Sequence, residues 1–137
     1  MDHIDPVVVI GNGDRRLTLS EYRGGVCTVA LDIPGIHVID RLGFGEHGSG
    51  GSEDGLCEVF ERMTADWRGW SGDLLWNGTA DTMQLVFSHD GIGHVVADTT
   101  FAMPGTEGYV RTTITLEPGQ LGRIATELRA LFDSSSD

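Results

Sequence analysis

The chain has 137 residues, the usual size of one domain, and its hydrophobic fraction of 39% separates it from disordered sequences. Its 21 acidic residues outnumber nine basic residues, all of them arginine, and give a formal net charge of -12. A charge of this sign repels nucleic acids and anionic lipid surfaces, so we predict that the protein binds neither nucleic acid nor membrane.

The first residues of the chain are acidic and polar, whereas a secretion signal begins with basic residues and continues with an apolar stretch. No apolar run approaches the ~18 residues that a transmembrane helix needs. The two cysteines, Cys27 and Cys57, do not form the Cys-x-x-Cys pattern of zinc and redox sites. We therefore predict a cytoplasmic protein with reduced thiols and no cofactor.

The first part of the chain predicts four strands. Two short apolar runs on either side of the turn residues 11–14 indicate a β-hairpin, because Asn-Gly tolerates a positive φ. Alternating apolar residues predict a half-buried strand over 26–33, and the segment 36–44 also has an extended pattern. The glycine-rich stretch 43–52 predicts a flexible loop, and Ser52 at its end is a candidate N-cap for the helix that follows.

The second part predicts a helix, three strands and a helix. Apolar residues at helical spacing indicate amphipathic helices near 53–68 and 119–132. The alternating segments 83–88, 95–101 and 109–116 have connections too short for crossover helices, so their strands are antiparallel. The predicted fold is a single α+β domain in the order β-β-β-β-α-β-β-β-α, with one antiparallel sheet or a two-sheet sandwich, two covering helices and a frayed tail over 133–137.

All three tryptophans lie in one short segment, which also contains an arginine. Tryptophan has a large apolar ring with one N–H donor, and it is frequent both in packed cores and at binding hot spots. One interpretation is structural, with the rings fixing the end of the helix onto the sheet. The other is a recognition surface formed by four residues: Trp67, Arg68, Trp70 and Trp76.

Two histidines flank a predicted hairpin turn over 89–94. With Asp90 between them, His89 and His94 are candidate metal ligands or an acid and base pair. The alternative is an ordinary surface hairpin with polar side chains. No Gly-x-Ser-x-Gly elbow and no phosphate-binding Gly-Lys-Ser/Thr motif occurs, so the sequence predicts no catalytic residues.

The tryptophan segment DWRGWSGDLLW, residues 66–76, resembles the signature of an uncharacterised bacterial domain family of unknown function. The resemblance continues through HDGIGHV at 89–95 and LEPGQL at 116–121, and it covers roughly residues 55–132. It implies no activity and no catalytic residues. The order of strands and helices is also similar to that of small immunity proteins of bacterial polymorphic-toxin systems, a likeness of architecture that does not establish function.

Three functions remain open at this point. The first is a non-enzymatic protein-binding domain, of the immunity type, that neutralises a basic toxin, since acidic inhibitors attract basic partners by charge steering. The second is a self-associating structural domain, a homodimer formed through the tryptophans or a sheet edge. The third is a metal-dependent enzyme that uses His89, Asp90 and His94.

Overall fold

The computed structural model describes residues 6–51 and 54–133 of the chain. It contains eight strands and two α-helices, and short 3-10 helices follow β4 and β5. In chain order the elements are β1 (Val7–Asn12), β2 (Arg15–Arg23), β3 (Val26–Ile33), β4 (Ile36–Gly43), α1 (Leu56–Ala65), β5 (Leu74–Asn77), β6 (Met83–His89), β7 (Val95–Ala102), β8 (Tyr109–Leu116) and α2 (Pro118–Asp133).

The strands form two separate antiparallel sheets, each a four-stranded meander in chain order. The first sheet has the order β1-β2-β3-β4 and the second has the order β5-β6-β7-β8. Each sheet is followed by one helix, so the chain runs twice through four strands and a helix. The predicted α+β class, with two antiparallel sheets and two helices, is confirmed.

The second sheet contains one more strand than the sequence predicted. The additional strand, β5, has four residues and pairs with β6, where Trp76 lies opposite Leu85. A strand this short shows little alternation: Trp76 is its one buried residue, and Leu75 beside it is half exposed. The sequence pattern therefore did not identify these residues as a strand, and they were treated only as part of the tryptophan segment.

The first helix is shorter than the sequence predicted, and this changes where two tryptophans lie. It begins after Gly55, whose backbone N–H donates a hydrogen bond to Oε1 of Glu58 at 2.8 Å. It ends at Ala65, so Trp67 and Trp70 lie in the loop that follows. The candidate cap Ser52 lies outside the described residues, as does the part of the predicted tail beyond Asp133.

An aromatic cluster in the core connects the two sheets with α2. Phe44, just after β4, stacks on Trp76 of β5 with ring centroids 5.6 Å apart. Phe44 also contacts Phe132 of α2 at 5.1 Å, and Tyr22 of β2 meets the same ring edge-on at 4.8 Å. Each half of the chain therefore contributes rings to one shared core, and aromatic pairs of this geometry stabilise it beyond their buried area.

Part of the predicted glycine loop packs over this aromatic cluster. Gly48 has a φ of +76° and is buried, and its carbonyl accepts a hydrogen bond from Nε1 of Trp76 at 3.0 Å. A side chain at this position would begin 2.9 Å from Cε2 of Phe132. Glycine is needed here both for the backbone conformation and for the close approach.

The two sheets meet along a seam, defined here by Gly11, Asn12, Thr115 and Gln120. The side chain of Asn12 donates one hydrogen bond to the Thr115 carbonyl and another to Oε1 of Gln120, both at 3.0 Å. The Gln120 amide donates in return to Oδ1 of Asn12 at 3.0 Å. The end of β1 is thus fixed against the end of β8 and the start of α2.

Both cysteines are fully buried, and burial raises the pKa of Cys27 and of Cys57 to about 12. Since the thiolate is the reactive form, we expect native protein at pH 8 to react with iodoacetamide roughly 1000-fold more slowly than unfolded protein. Mass spectrometry of samples alkylated with and without guanidinium measures the difference. Rapid labelling of either thiol in the native protein would contradict this expectation.

Within the described residues, no helix has the length and apolar character required to cross a membrane.

Candidate protein-binding surface

The loop after α1 packs against the turn between β6 and β7 through the side chain of His89. Nε2 of His89 lies 3.2 Å from the Trp67 carbonyl, and Nδ1 accepts the backbone N–H of Gly91 at 2.9 Å. These two contacts assign the neutral tautomer that carries its proton on Nε2. The imidazole also meets the ring of Trp70 edge-on, with centroids 5.2 Å apart. One histidine therefore holds both segments in place.

Two large apolar side chains are exposed on these segments. Trp67 is 49% exposed, and the Arg68 guanidinium carbon lies 5.1 Å from its ring centroid, within the range of a cation–π contact. Ile92, at the turn between β6 and β7, is 81% exposed. Trp70 is half buried, and its Nε1 has no hydrogen-bond partner among the described residues. We call Trp67, Arg68, Trp70 and Ile92 the tryptophan surface.

Trp76, the fourth member of the predicted recognition surface, lies elsewhere. Its ring is fully buried, stacks on Phe44 and donates to the Gly48 carbonyl. The structural interpretation of the tryptophan segment therefore applies to Trp76. Its other members remain accessible in whole or in part, because α1 ends before Trp67.

The histidine hairpin has a polar network of its own. Oδ1 of Asp90 accepts the backbone N–H groups of Ile92 at 2.8 Å and of His94 at 3.0 Å. These two backbone hydrogen bonds, His94 first, lower the pKa of Asp90, and its other oxygen lies 2.9 Å from Nδ1 of His94. A carboxylate that accepts two backbone donors fixes the turn, as in an Asx-turn.

The predicted metal set of His89, Asp90 and His94 does not assemble. Asp90 and His94 pair with each other, but the Nδ1 lone pair of His89 is occupied by Gly91, and Nε2 points at the Trp67 carbonyl. A metal ligand needs a free nitrogen lone pair, and in this structure both ring nitrogens of His89 are engaged in hydrogen bonds. Over the part of the chain that the structure describes, no group of three or more His, Cys, Asp or Glu side chains could hold a metal ion.

Sequence reasoning did not include Ile92 in the candidate surface. Its signal was present, since Ile92 is an apolar residue between Gly91 and Gly93 in a turn, where a polar residue is usual. An apolar residue at such a position has no core to enter.

A second polar cluster joins the two helices on the opposite side of α1 from its buried face. Nε and Nη2 of Arg129 donate to the two carboxylate oxygens of Glu61 at 2.7 and 2.8 Å. Nη2 also donates to Glu58 at 3.2 Å, and Nη1 lies 2.6 Å from Nδ1 of His47. A bidentate pair of this kind is stronger than a single contact.

The hydrogen bonds from Arg129 hold the pKa of Glu61 below its ordinary value of 4.5. A lowered pKa stabilises the fold above that pH, and the contribution is lost as the pH falls through the folded pKa. We expect Glu61→Gln to lower the free energy of unfolding by less than about 1 kcal/mol at pH 7, because the pair is partly solvated, with the difference shrinking below pH 4.5. Urea unfolding at several pH values measures it.

The matched control for Glu61→Gln is Glu107→Gln, which removes an exposed carboxylate that forms no ion pair with any described residue. It is expected to show no comparable loss at pH 7. A Glu61→Gln deficit that stays constant down to pH 3 would contradict a role for the ionised carboxylate.

The charges of the described residues are unevenly distributed between the sheets and the rest of the molecule. The strands carry five arginines and four carboxylates, whereas the helices and loops carry four arginines and thirteen carboxylates. The loops beside the tryptophan surface follow this pattern, with Asp66, Asp73 and Asp90 all exposed. The tryptophan surface therefore lies within an acidic part of the molecule.

No curated protein and no solved structure matches the chain. A family model matches residues 10–135, which include both helices and all strands except the first three residues of β1, whereas the resemblance noted from the sequence covered roughly residues 55–132. The expectation of a family without a known activity is thereby confirmed: the chain belongs to DUF6228, a family of unknown function.

Proposed function

We propose that this protein is a non-enzymatic protein-binding domain that binds a basic partner through the tryptophan surface. The observation that carries the proposal is the exposed ring of Trp67. His89 contacts the backbone carbonyl of Trp67, and the Arg68 guanidinium lies over the face of the ring. Tryptophan and arginine are the residue types most enriched at binding hot spots. A side chain whose backbone is already fixed loses less entropy on binding.

The acidic surroundings support a basic partner. Asp66, Asp73 and Asp90 are exposed and lie within a few residues in sequence of the exposed apolar side chains, and charged residues around an apolar centre are typical of protein interfaces. The net charge of -12 adds long-range attraction, which accelerates association with basic proteins at low salt. An immunity-type protein that neutralises a basic toxin is the finer form of this proposal.

The buried thiols support a non-enzymatic role. Cys27 and Cys57 are the only cysteines, and burial keeps both protonated, so neither is an activated nucleophile. The Asp90 carboxylate, whose pKa is lowered, is occupied in holding its own turn.

The proposal is tested by affinity capture from the native host with the tagged full chain. We expect the wild-type chain to capture one basic protein in stoichiometric amount. The Trp67→Ala variant should not capture this protein, and the association rate of the wild type should fall as the salt concentration rises. Alanine replacement of a hot-spot tryptophan typically costs 2 kcal/mol or more, or about thirtyfold in affinity. Surface plasmon resonance with the purified partner measures the affinity and the salt dependence of the association rate.

Tyr109→Ala is the matched control, because Tyr109 is an aromatic residue with 60% exposure. It lies at the β7–β8 turn, at the opposite end of the strands from His89. The proposal requires Tyr109→Ala to bind like the wild type. A partner that is acidic, or that Trp67→Ala retains in full, argues against it.

The immunity form has its own test. Co-expression of the captured protein is expected to inhibit growth, and the wild-type chain is expected to restore growth where Trp67→Ala does not. A captured partner without toxicity would leave the binding proposal standing and remove the immunity form.

Self-association is a second candidate function, favoured by one observation. β4 is an edge strand of the first sheet, and two of its apolar residues, Ile36 and Ile39, are 42% and 53% exposed. Exposed apolar edge strands are sites where a second copy can pair. Light scattering at high micromolar concentration distinguishes a homodimer from a monomer, and a monomer removes this candidate.

A further inference from the structure

A cavity of about 630 Å³ opens at the seam between the two sheets, beside β8 and the β1–β2 turn. Its size falls within the range of small-molecule sites. It lies at the opposite edge of the second sheet from β5, and none of its lining residues belongs to the tryptophan surface. Its lining includes two arginines, two carboxylates and two threonines of β8: Arg15, Arg111, Asp14, Glu117, Thr112 and Thr115.

The two arginines reach the cavity from different sheets. Arg15 begins β2, and its Nη1 donates to Oγ1 of Thr112 on β8 at 2.7 Å, which holds the guanidinium across the seam. Arg111 directly precedes Thr112 on the same strand, and its side chain is exposed. The hydrogen bond from the Asn12 side chain on β1 to the Thr115 carbonyl holds the backbone of β8 against the end of β1 beside these residues.

Neither of these arginines forms an ion pair with any described residue, although carboxylates are abundant in this protein. Three other arginines, Arg62, Arg123 and Arg129, each pair with Asp or Glu. Arg15 and Arg111 therefore bring two positive charges to one cavity, and neither is neutralised by an ion pair with the carboxylates of Asp14 and Glu117 that also line it. A guanidinium group that forms no ion pair retains free N–H donors in a planar, forked arrangement. This arrangement matches the oxygens of carboxylate and phosphoryl groups.

We propose that the seam cavity binds a small oxyanion, a ligand with a carboxylate or phosphoryl group held by Arg15 and Arg111. The Thr115 hydroxyl is a further donor at the cavity wall. Asp14 and Glu117 at the same wall, together with the net charge of -12, disfavour an extended polyanion and limit the ligand to a localised charge. The inference does not depend on the protein-binding proposal, since it uses a different surface.

Isothermal titration calorimetry of the full chain at low ionic strength tests the site with two probes, inorganic phosphate and succinate. We expect at least one probe to bind with one-to-one stoichiometry. Arg111→Ala is expected to weaken that binding about tenfold or more, because it removes charged hydrogen bonds. Arg15→Lys keeps the charge but loses the fork, and it should also weaken binding.

Arg16→Ala is the matched control, because Arg16 is the exposed neighbour of Arg15 and does not line the cavity. It should bind like the wild type. Binding of phosphate alone assigns a phosphoryl ligand, and binding of succinate alone assigns a carboxylate; either result supports the site. No heat from either probe, or an equal loss in Arg16→Ala, would overturn the proposal.

Nuclear magnetic resonance of the wild-type chain provides a measurement that needs no variant. The probe that binds should shift the backbone amide signals of β8, around Arg111 to Thr115, and of the β1–β2 turn. Shifts confined to other parts of the molecule would overturn the assignment of the ligand to this cavity.

Discussion

Replacing Trp76 by alanine is expected to lower the free energy of unfolding by about 3–5 kcal/mol, the range for deletion of a buried tryptophan. The ring is fully buried, so the substitution leaves a cavity in the aromatic cluster. It also removes the donor for the buried Gly48 carbonyl. Because whole domains are stable by only about 5–15 kcal/mol, this loss is a large fraction of the total stability. Urea denaturation followed by circular dichroism measures the loss.

Two further variants separate the contribution of the Trp76 ring to stability from that of its N–H group, and test whether loss of any tryptophan has the same effect. Trp76→Phe keeps a ring against Phe44 but leaves the Gly48 carbonyl without its donor, and about 1–3 kcal/mol is expected. Trp67→Ala removes an exposed ring and should change stability by only about 0.5 kcal/mol. A Trp67→Ala variant as unstable as Trp76→Ala would contradict the different placement of the two residues.

Gly11→Ala is expected to destabilise the protein by about 2–4 kcal/mol, from backbone strain and overpacking together. The φ of Gly11 is +132°, a region that residues with a side chain almost never occupy. A methyl group there would collide with the Arg15 carbonyl oxygen, lie 2.9 Å from Cα of Arg16 and lie 3.1 Å from Cγ2 of Ile114. Backbone atoms cannot turn away as the end of a side chain can, so β1, β2 and the seam must shift.

Gly13→Ala is the control for Gly11→Ala within the same turn. Gly13 has a φ of +60°, and a methyl group there meets no atom within 4 Å. The variant is expected to cost about 1 kcal/mol, the strain of a left-handed residue alone. Equal losses for the two variants in thermal or urea unfolding would show that close packing at the seam contributes nothing.

Periodicity was sufficient to predict most of the strands and both helices. β7 is a clear example, because Val95, Ala97, Thr99 and Phe101 are all fully buried and alternate with half-buried residues. The same principle did not detect β5, since four residues with one buried member contain no period. The early end of α1 was also missed, because Trp67 and Trp70 continue the helical spacing of apolar residues beyond Ala65.

The candidate surface could be predicted only in part. The sequence positions indicated a cluster of tryptophans, but whether each ring is buried depends on contacts distant in sequence. Trp76 donates a hydrogen bond to the Gly48 carbonyl, and the Trp67 carbonyl lies within hydrogen-bond distance of His89. The sequence also could not predict that His89 forms hydrogen bonds to both loops. Histidines that flank a turn have the same sequence pattern whether or not their side chains point at a common metal site. The sequence also gave no sign that Arg15 would reach Thr112.

The aromatic cluster has a consequence for how the chain folds. Its rings come from Tyr22, Phe44, Trp76 and Phe132, positions that span most of the chain. Neither half of the molecule can complete this core separately, and the loops that bring the rings together must close before their contacts are formed. A chain cut between the two halves is therefore expected not to acquire its native structure until both fragments are present.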